Sequence, residues 1–330
     1  MTIQEEDISK DNLVKFDAST ASFSPGELLQ SSRWLLFQQF LGRKVQLFSW
    51  RKDTETGWFF GYIIKAPFGF SYFYIPRGPL VKKSVLWPDF LIELKKVCKA
   101  HSVTFIRFEP NATWPNNFSR DSFVSVYKIA DTQPALSFHS NLALPEADLL
   151  TGMHQKTRYN IRLSLKKDLL FTANDKHYDD FLALMKETAE RDGFGAHDKD
   201  YYIAMLKSGT AFLATVRNAS GEILAAGLFA GFGSIITYLH GASSSEHRDL
   251  MAPYFLHWNI MLWAKTQSYL YYDWYGIDEH KWPGVTRFKK GFGGEEVVYP
   301  GTYDIPLDTL SYSGYTLGRG AQRLMTRLFK

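Results

Sequence analysis

Two stretches of this chain share one order of elements: three strand-like segments, an amphipathic helix and a further strand. In the first, residues 45–50, 59–66 and 70–75 alternate or run apolar. Residues 87–100 then place Leu91, Leu94, Val97 and Cys98 on one helical side, and a strand over 103–109 ends at Pro110. In the second, strands over 210–216, 223–232 and 235–240 precede a helix over 253–266 and a strand over 269–274. No residue-level repeat accompanies this order. A chain of 330 residues accommodates two domains of ordinary size. The reading is therefore an α/β (α+β) protein of two similar units, with the boundary at 135–148, where Pro134 and Pro145 interrupt the periodicity.

Other features bound the class. One cysteine, Cys98, excludes an internal disulfide framework and suits a reducing compartment. Residues 1–22 read as a poorly ordered polar lead rather than a secretory signal. A net charge of +4 excludes a highly basic nucleic-acid coat. The positive charge is local instead: Lys156, Arg158, Arg162, Lys166 and Lys167 occur with no acid between them, and Arg319, Arg323 and Arg327 recur every fourth residue. Such stripes suit phosphate, RNA or an anionic membrane surface, and equally a solvated helix face. Aromatic residues reach 16%, which fits strand packing and also a cleft that stacks rings.

Chemistry concentrates in Arg287-Phe288-Lys289-Lys290-Gly291-Phe292-Gly293-Gly294, with three cations, two aromatic rings and three glycines. Glycines expose backbone N–H donors and permit close approach, and the cations suit an anion or a developing oxyanion. A basic surface turn is the plainer alternative. Residues 151–170 read as one helix, with Arg158, Arg162 and Lys166 on one face and Ile161, Leu165 and Leu169 on another. Glu109, before Pro110, is a candidate general base or a turn cap. Asp273 and Asp278 bracket a turn, and turn chemistry also accounts for His240 and His247. No Walker loop, nucleophile elbow or paired-cysteine motif occurs.

Together these segments resemble the Fem family of non-ribosomal peptidyltransferases. The resemblance runs from about residue 29 to the end. It is carried by His154–Arg162, Gly241-Ala242-Ser243, Met251-Ala252-Pro253-Tyr254, residues 272–277 and residues 284–294. It implies two tandem acetyltransferase-like domains without a helical-hairpin arm. The first would take 1–145 plus 312–330 and the muropeptide acceptor. The second, 146–311, would take the catalytic segment and aminoacyl-tRNA. It also implies transfer from aminoacyl-tRNA, as co-substrate and without a cofactor or metal, to a side-chain amine of a UDP-linked or lipid-linked muropeptide. The enzyme would be cytoplasmic and monomeric, with peripheral contact at the inner membrane face.

By position, Lys289 would be the electrostatic catalyst and Phe288 would shape its site. Substrate contacts would come from Trp34, Gln38, Arg77, Glu109, Arg158, Arg162, His197, Tyr254 and Arg287. Two departures bear on the UDP-linked acceptor. Gln38 stands four residues after Trp34 where the family often has Lys, and Arg191-Asp192-Gly193-Phe194 leads to His197 where an Arg is frequent. Two rivals remain: an acyl-CoA N-acyltransferase and a non-catalytic RNA- or membrane-surface module. Coenzyme A suits the turn Arg248-Asp249-Leu250-Met251-Ala252-Pro253 poorly, since Met251 and Pro253 replace small residues and proline lacks an N–H.

Overall fold

The computed structural model describes residues 1–115, 124–193 and 195–328. The chain begins with β1 (Thr2–Glu6), α1 (Lys10–Ala21), α2 (Ser32–Phe40), β2 (Val45–Lys52), β3 (Glu55–Lys65) and β4 (Ser71–Ile75). It continues through α3 (Trp87–Cys98), β5 (Phe105–Phe108), β6 (Tyr127–Lys128), β7 (Leu136–Asn141), α4 (Glu146–Gly152) and α5 (Gln155–Ser164). Then come β8 (Leu170–Asp175), α6 (Tyr178–Asp192), α7 (Lys199–Lys207), β9 (Phe212–Arg217), β10 (Ile223–Phe232) and β11 (Ile235–Ser243). Last are α8 (Ala252–Thr266), β12 (Tyr271–Gly276), α9 (Pro283–Lys290), β13 (Glu295–Val298), β14 (Tyr303–Pro306) and α10 (Thr309–Leu328).

These elements form two compact units. One holds residues 1–23, 29–135 and 299–330, and the other holds 24–28 and 136–298. The divisions at 135 and 298 differ from the sequence reading of 145 and 311. The reason is strand pairing: β7 hydrogen-bonds to β12 of the second unit, and β14 to β5 of the first.

The first unit's sheet runs β1-β2-β3-β4-β5-β14-β6. Only β4 and β5 pair in parallel among its described strands, and α3 makes the crossover between them. Phe48, Phe59, Phe73, Trp87 and Phe90 fill its core. Across β5 and β14, Arg107 grips Asp304 with two hydrogen bonds of 2.8 Å. Residues 1–22 are not a loose lead. Ile3 and Phe16 are buried, β1 pairs with β2, and Ser9 caps α1 by accepting from Asn12 N–H. Two apolar side chains in a polar segment suffice once a sheet edge is available to pair with.

The second unit repeats the plan in the order β13-β7-β12-β11-β10-β9-β8, with β11 and β12 parallel and α8 crossing between them. In each unit an antiparallel meander leads into one parallel pair. A strand from outside the meander then completes the sheet: β14 in the first unit, β7 in the second. Residues 151–170 are not one helix. The chain breaks at Met153, whose ψ of 155° is extended, so α4 and α5 are separate and 170 already begins β8. The segment 283–290, whose cations also allowed a basic surface turn, is helical, with Pro283 in the first turn where a missing N–H costs no hydrogen bond. Among the described residues no long helical-hairpin arm interrupts this unit. No described helix is long and apolar enough to cross a membrane.

Candidate active site

The site grows from the place where β11 and β12 part. Their parallel ladder covers Ile235–Thr237 against Tyr271–Asp273, while β11 continues to Ser243. A bulge between Leu228 and Phe229 on the neighbouring ladder skips Leu239. The extra residue places Tyr238 and His240 on opposite faces of the sheet. Ring contacts agree: Tyr238 packs on His257 of α8, and His240 on Tyr202 of α7. His240 is thus a strand residue, not a turn residue.

On the α8 face, Tyr238, Tyr254, His257, Phe288 and Lys289 line a cleft of about 300 Å³ together with Arg191. Lys289 projects from α9 toward the parted strands. Its Nζ donates to the Gly276 carbonyl at 2.7 Å and lies 5.7 Å from the centre of the Tyr238 ring. The residue is only 8% exposed. Burial lowers its pKa to about 8, against the opposing pull of Asp273. Burial likewise drives His257 down to about 3, with Lys289 adding to the effect, so that imidazole is neutral. His257 Nδ1 and the Tyr272 hydroxyl share a 2.6 Å hydrogen bond. The result is an ammonium held by a carbonyl, a neutral imidazole and aromatic faces. Such a cation is poised to meet negative charge that develops beside it.

The three cations of α9 have different fates. Lys289 points inward. Lys290 is tied to Glu279 and Glu296, each at 2.6 Å. Arg287 is exposed and is not among the cleft-lining residues. Phe288 lines the cleft and meets the rings of Tyr254 at 5.1 Å, Phe292 at 5.3 Å and His257 at 5.4 Å. The glycines that follow serve the protein's own packing. A Cβ on Gly293 would stand 2.7 Å from Gly152 O, and one on Gly294 2.3 Å from His139 O. Both have positive φ. Gly241 likewise leaves room for the Tyr238 hydroxyl.

The other sequence candidates divide by unit. The Arg158 guanidinium is engaged within the chain. It is half-buried and donates to the carbonyls of Thr151 and Met153, closing the break between α4 and α5. Arg162 is exposed. His197 is exposed, stacks on Tyr201 at 3.9 Å and lies 5.6 Å from His240. Phe194 lies outside the described residues.

In the first unit, Glu109 is buried and fully engaged. Its oxygens accept from Tyr74 Oη, Arg77 N, Gln133 N and Thr302 Oγ1. A carboxylate so occupied ties the turn at Arg77 to residues 74, 133 and 302. Arg77 is 5% exposed, donates to Pro134 O at 2.7 Å and sits 3.4 Å from the Tyr299 ring centre. Trp34 is buried, with no hydrogen-bond partner for its indole N–H among the described residues. Gln38 accepts from Arg43, so a cation stands beside the position where lysine was expected.

Sequence reasoning missed Tyr238, His257 and Arg191 as site residues. Arg191 opens the run Arg191-Asp192-Gly193-Phe194, and His257 is one helical turn past Tyr254 on α8. Arg191 Nη1 donates to Ser243 O at 2.6 Å, joining α6 to the end of β11. Beside the cleft, the first turn of α8 offers few donors to a pyrophosphate. Met251 and Tyr254 N–H bond to Arg248 O and Met251 O, and Pro253 has none. Glu222, Glu246 and His247 approach one another closely enough for a metal, but all are exposed and His247 pairs with Glu222 at 3.4 Å.

Two α/β units of one plan, with a buried lysine where parallel strands separate, define a tandem acetyltransferase-like protein. The comparisons agree and go further. The FemAB family matches residues 8–142, 126–212 and 209–319, and the chain belongs to that family. The Lipid II:glycine glycyltransferase of Staphylococcus aureus (strain USA300) is 22% identical over 391 residues, covering 90% of this chain and 92% of the relative. The crystal structure of FemX superposes with a TM-score of 0.78 at 20% identity, covering 94% of this chain and 99% of that one. A tandem GNAT protein from the clavulanic acid biosynthesis pathway superposes at 0.54 with 10% identity, over 92% and 98%.

Proposed function

We propose that this protein is an aminoacyltransferase of peptidoglycan precursor synthesis, moving an aminoacyl group from aminoacyl-tRNA to a side-chain amine of the stem peptide. The observation that carries this reading is the buried Lys289 ammonium in an aromatic cleft, within a chain of the FemAB family. Its relative's name, Lipid II:glycine glycyltransferase, supports a peptidoglycan precursor as acceptor and favours the lipid-linked form over the UDP-linked one.

The chemistry needs little more than a placed cation. The acceptor amine attacks the ester carbonyl carbon, a C–N bond forms, and the carbonyl electron pair moves to oxygen. Lys289 faces that oxyanion and lowers the barrier. Collapse breaks the C–O bond to the ribose. The ribose oxygen takes the proton that the amine nitrogen sheds, leaving an amide and a free tRNA hydroxyl. The ester is already activated, so no strong protein base is invoked. Phe288, Tyr254 and Tyr238 line the cleft with aromatic surface, beside which a charge interaction is stronger than in bulk solvent.

The second unit is assigned the aminoacyl donor, with exposed Arg162 and Arg287 reaching its phosphates. The first is assigned the muropeptide, with Trp34 and the Arg43–Gln38 pair as contacts. The assay mixes the protein with total tRNA charged with labelled amino acids, plus lipid-linked and UDP-linked muropeptides in parallel. Label on the lipid-linked form is expected. No label on either, with intact charged tRNA, would overturn the reading.

A further inference from the structure

Asp273 lies on β12, three residues before the Gly276 carbonyl that holds Lys289, and it is buried. Its carboxylate is gripped from several strands. It accepts from the Ser137 hydroxyl on β7 and from Tyr275 N–H at 2.7 Å. It stands 3.3 Å from His139 Nε2, also on β7, and accepts from Thr237 Oγ1 on β11 at 3.4 Å. The bond to Tyr275 is an aspartate turn, side chain to the N–H two residues on. Tyr275 itself has a left-handed φ of 58°, which a bulky residue adopts only when its surroundings impose it. The ladder to β7 slips register between Asp273 and Gly276. That bulge redirects β12 where the Gly276 carbonyl meets Lys289 Nζ. Bulges beside active sites re-aim groups in this way.

The second contribution is charge. Tyr238 of β11 has its ring centre 5.7 Å from Lys289 Nζ, His257 of α8 and Asp273 of β12 act on the lysine by charge, Tyr272 of β12 bonds to His257, and His139 of β7 stands against Asp273. His257 is neutral, and burial holds both tyrosines protonated. Asp273 is the anion of this set. Burial would raise its pKa, but His139, Ser137 and the Tyr275 N–H overcome that and keep it ionised. Its field favours the ammonium form of Lys289.

We propose that Asp273 is the positioning residue of this site: its carboxylate fixes the bulge that aims Gly276 O at Lys289, and it supplies the buried negative charge that holds the ammonium there. The proposal rests on the reading of Lys289 as the working cation, but its test does not require transfer. The side-chain nitrogen signal of Lys289 is titrated by NMR in protein carrying isotope-labelled lysine, assigned through Lys289→Met. Asp273→Asn keeps the size and one acceptor oxygen while removing the charge. Lys289 in Asp273→Asn is expected to titrate about one pH unit lower than in the wild type. The variant's deficit in transfer relative to the wild type should then shrink as the pH is lowered, with KM little changed. An unchanged Lys289 titration in folded Asp273→Asn overturns the proposal. A shifted titration in a protein that never shows transfer upholds it while the functional reading fails. If Asp273→Asn does not fold, Asp273→Asn/Lys289→Met is expected to restore a cooperative melt, because the buried ammonium left without its anion is gone. A double variant as unstable as the single one overturns the proposal as well.

Discussion

Lys289 donates a 2.7 Å hydrogen bond to the carbonyl oxygen of Gly276, thirteen residues before it in the chain. A carbonyl is a weak partner for a buried ammonium. It orients the cation without neutralising it, so most of the charge stays available to a transition state.

Lys289→Met is expected to lower transfer by about 10²-fold or more, the scale of losing one oxyanion partner. The same variant should be more stable than the wild type. Wild-type Lys289 ionises at about 8 when folded and near its ordinary 10.5 when unfolded. Keeping it charged in the fold therefore costs up to about 3 kcal/mol below pH 8. The unfolded chain binds the extra proton between those values, so wild-type stability rises with pH from 8 to 10.5 and the gap narrows. Denaturant midpoints at pH 7 and pH 10 check this. A variant less stable at pH 7 would contradict it.

The pH dependence of transfer separates two roles for the same lysine. An acceptor amine of ordinary pKa, about 10.4, makes the rate climb with pH as it loses its proton. If Lys289 acts as a cation, that climb should level off above about pH 8, where it becomes neutral. A lysine acting as general base would instead climb more steeply up to pH 8 and keep climbing beyond it. Initial rates of transfer between pH 6 and 9.5 distinguish these shapes.

Acid should unfold the second unit through its neutral histidines. Burial holds His257 and His240 at about 3 in the fold, while the unfolded chain takes up protons near 6.5. A depressed histidine is therefore a stability loss that grows as pH falls from 6.5 toward 3. It amounts to about 1.4 kcal/mol per pH unit for each ring. His240→Gln should flatten this limb, as read from urea midpoints between pH 7 and 4.5. An unchanged slope would refute it.

Glu109→Gln should behave as a structural lesion. Four donors converge on the two carboxylate oxygens, and an amide would turn an NH₂ toward two of them. A loss of about 2–4 kcal/mol is expected. The remaining folded enzyme should keep a near-normal kcat at low temperature. A selective collapse of kcat with an unchanged melting point would restore Glu109 as a base.

The architecture was legible where apolar periodicity repeats. The meander and crossover helix of each half were readable, because strand alternation and a one-sided helix are local patterns. Residues 1–22 were not, because Ile3 and Phe16 become core residues only when β2 and β3 are present to receive them. Lys289 stood out by its company of rings and glycines, but neighbouring Arg287 and Lys290 looked equivalent. Helical phase, once the segment proved to be α9 and not a loop, separates the inward cation from the outward ones. The glycines misled for a similar reason: close approach was correctly inferred, yet what approaches Gly293 and Gly294 is the backbone of Gly152 and His139. Tyr238 and His257 carry no sequence signal, since a bulge and a tertiary contact bring them to the cleft.

The Arg107–Asp304 clasp joins strands whose residues are 197 positions apart. A ribosome must therefore synthesise the whole second unit before β14 exists to finish the sheet begun by β1. The unit encoded in the middle has its strands in hand first, and the one encoded at the start is completed last. A premature stop codon at residue 300 would spare the unit that carries Lys289 and leave the amino-terminal one with an open, hydrogen-bond-hungry edge, a hazard for aggregation during synthesis.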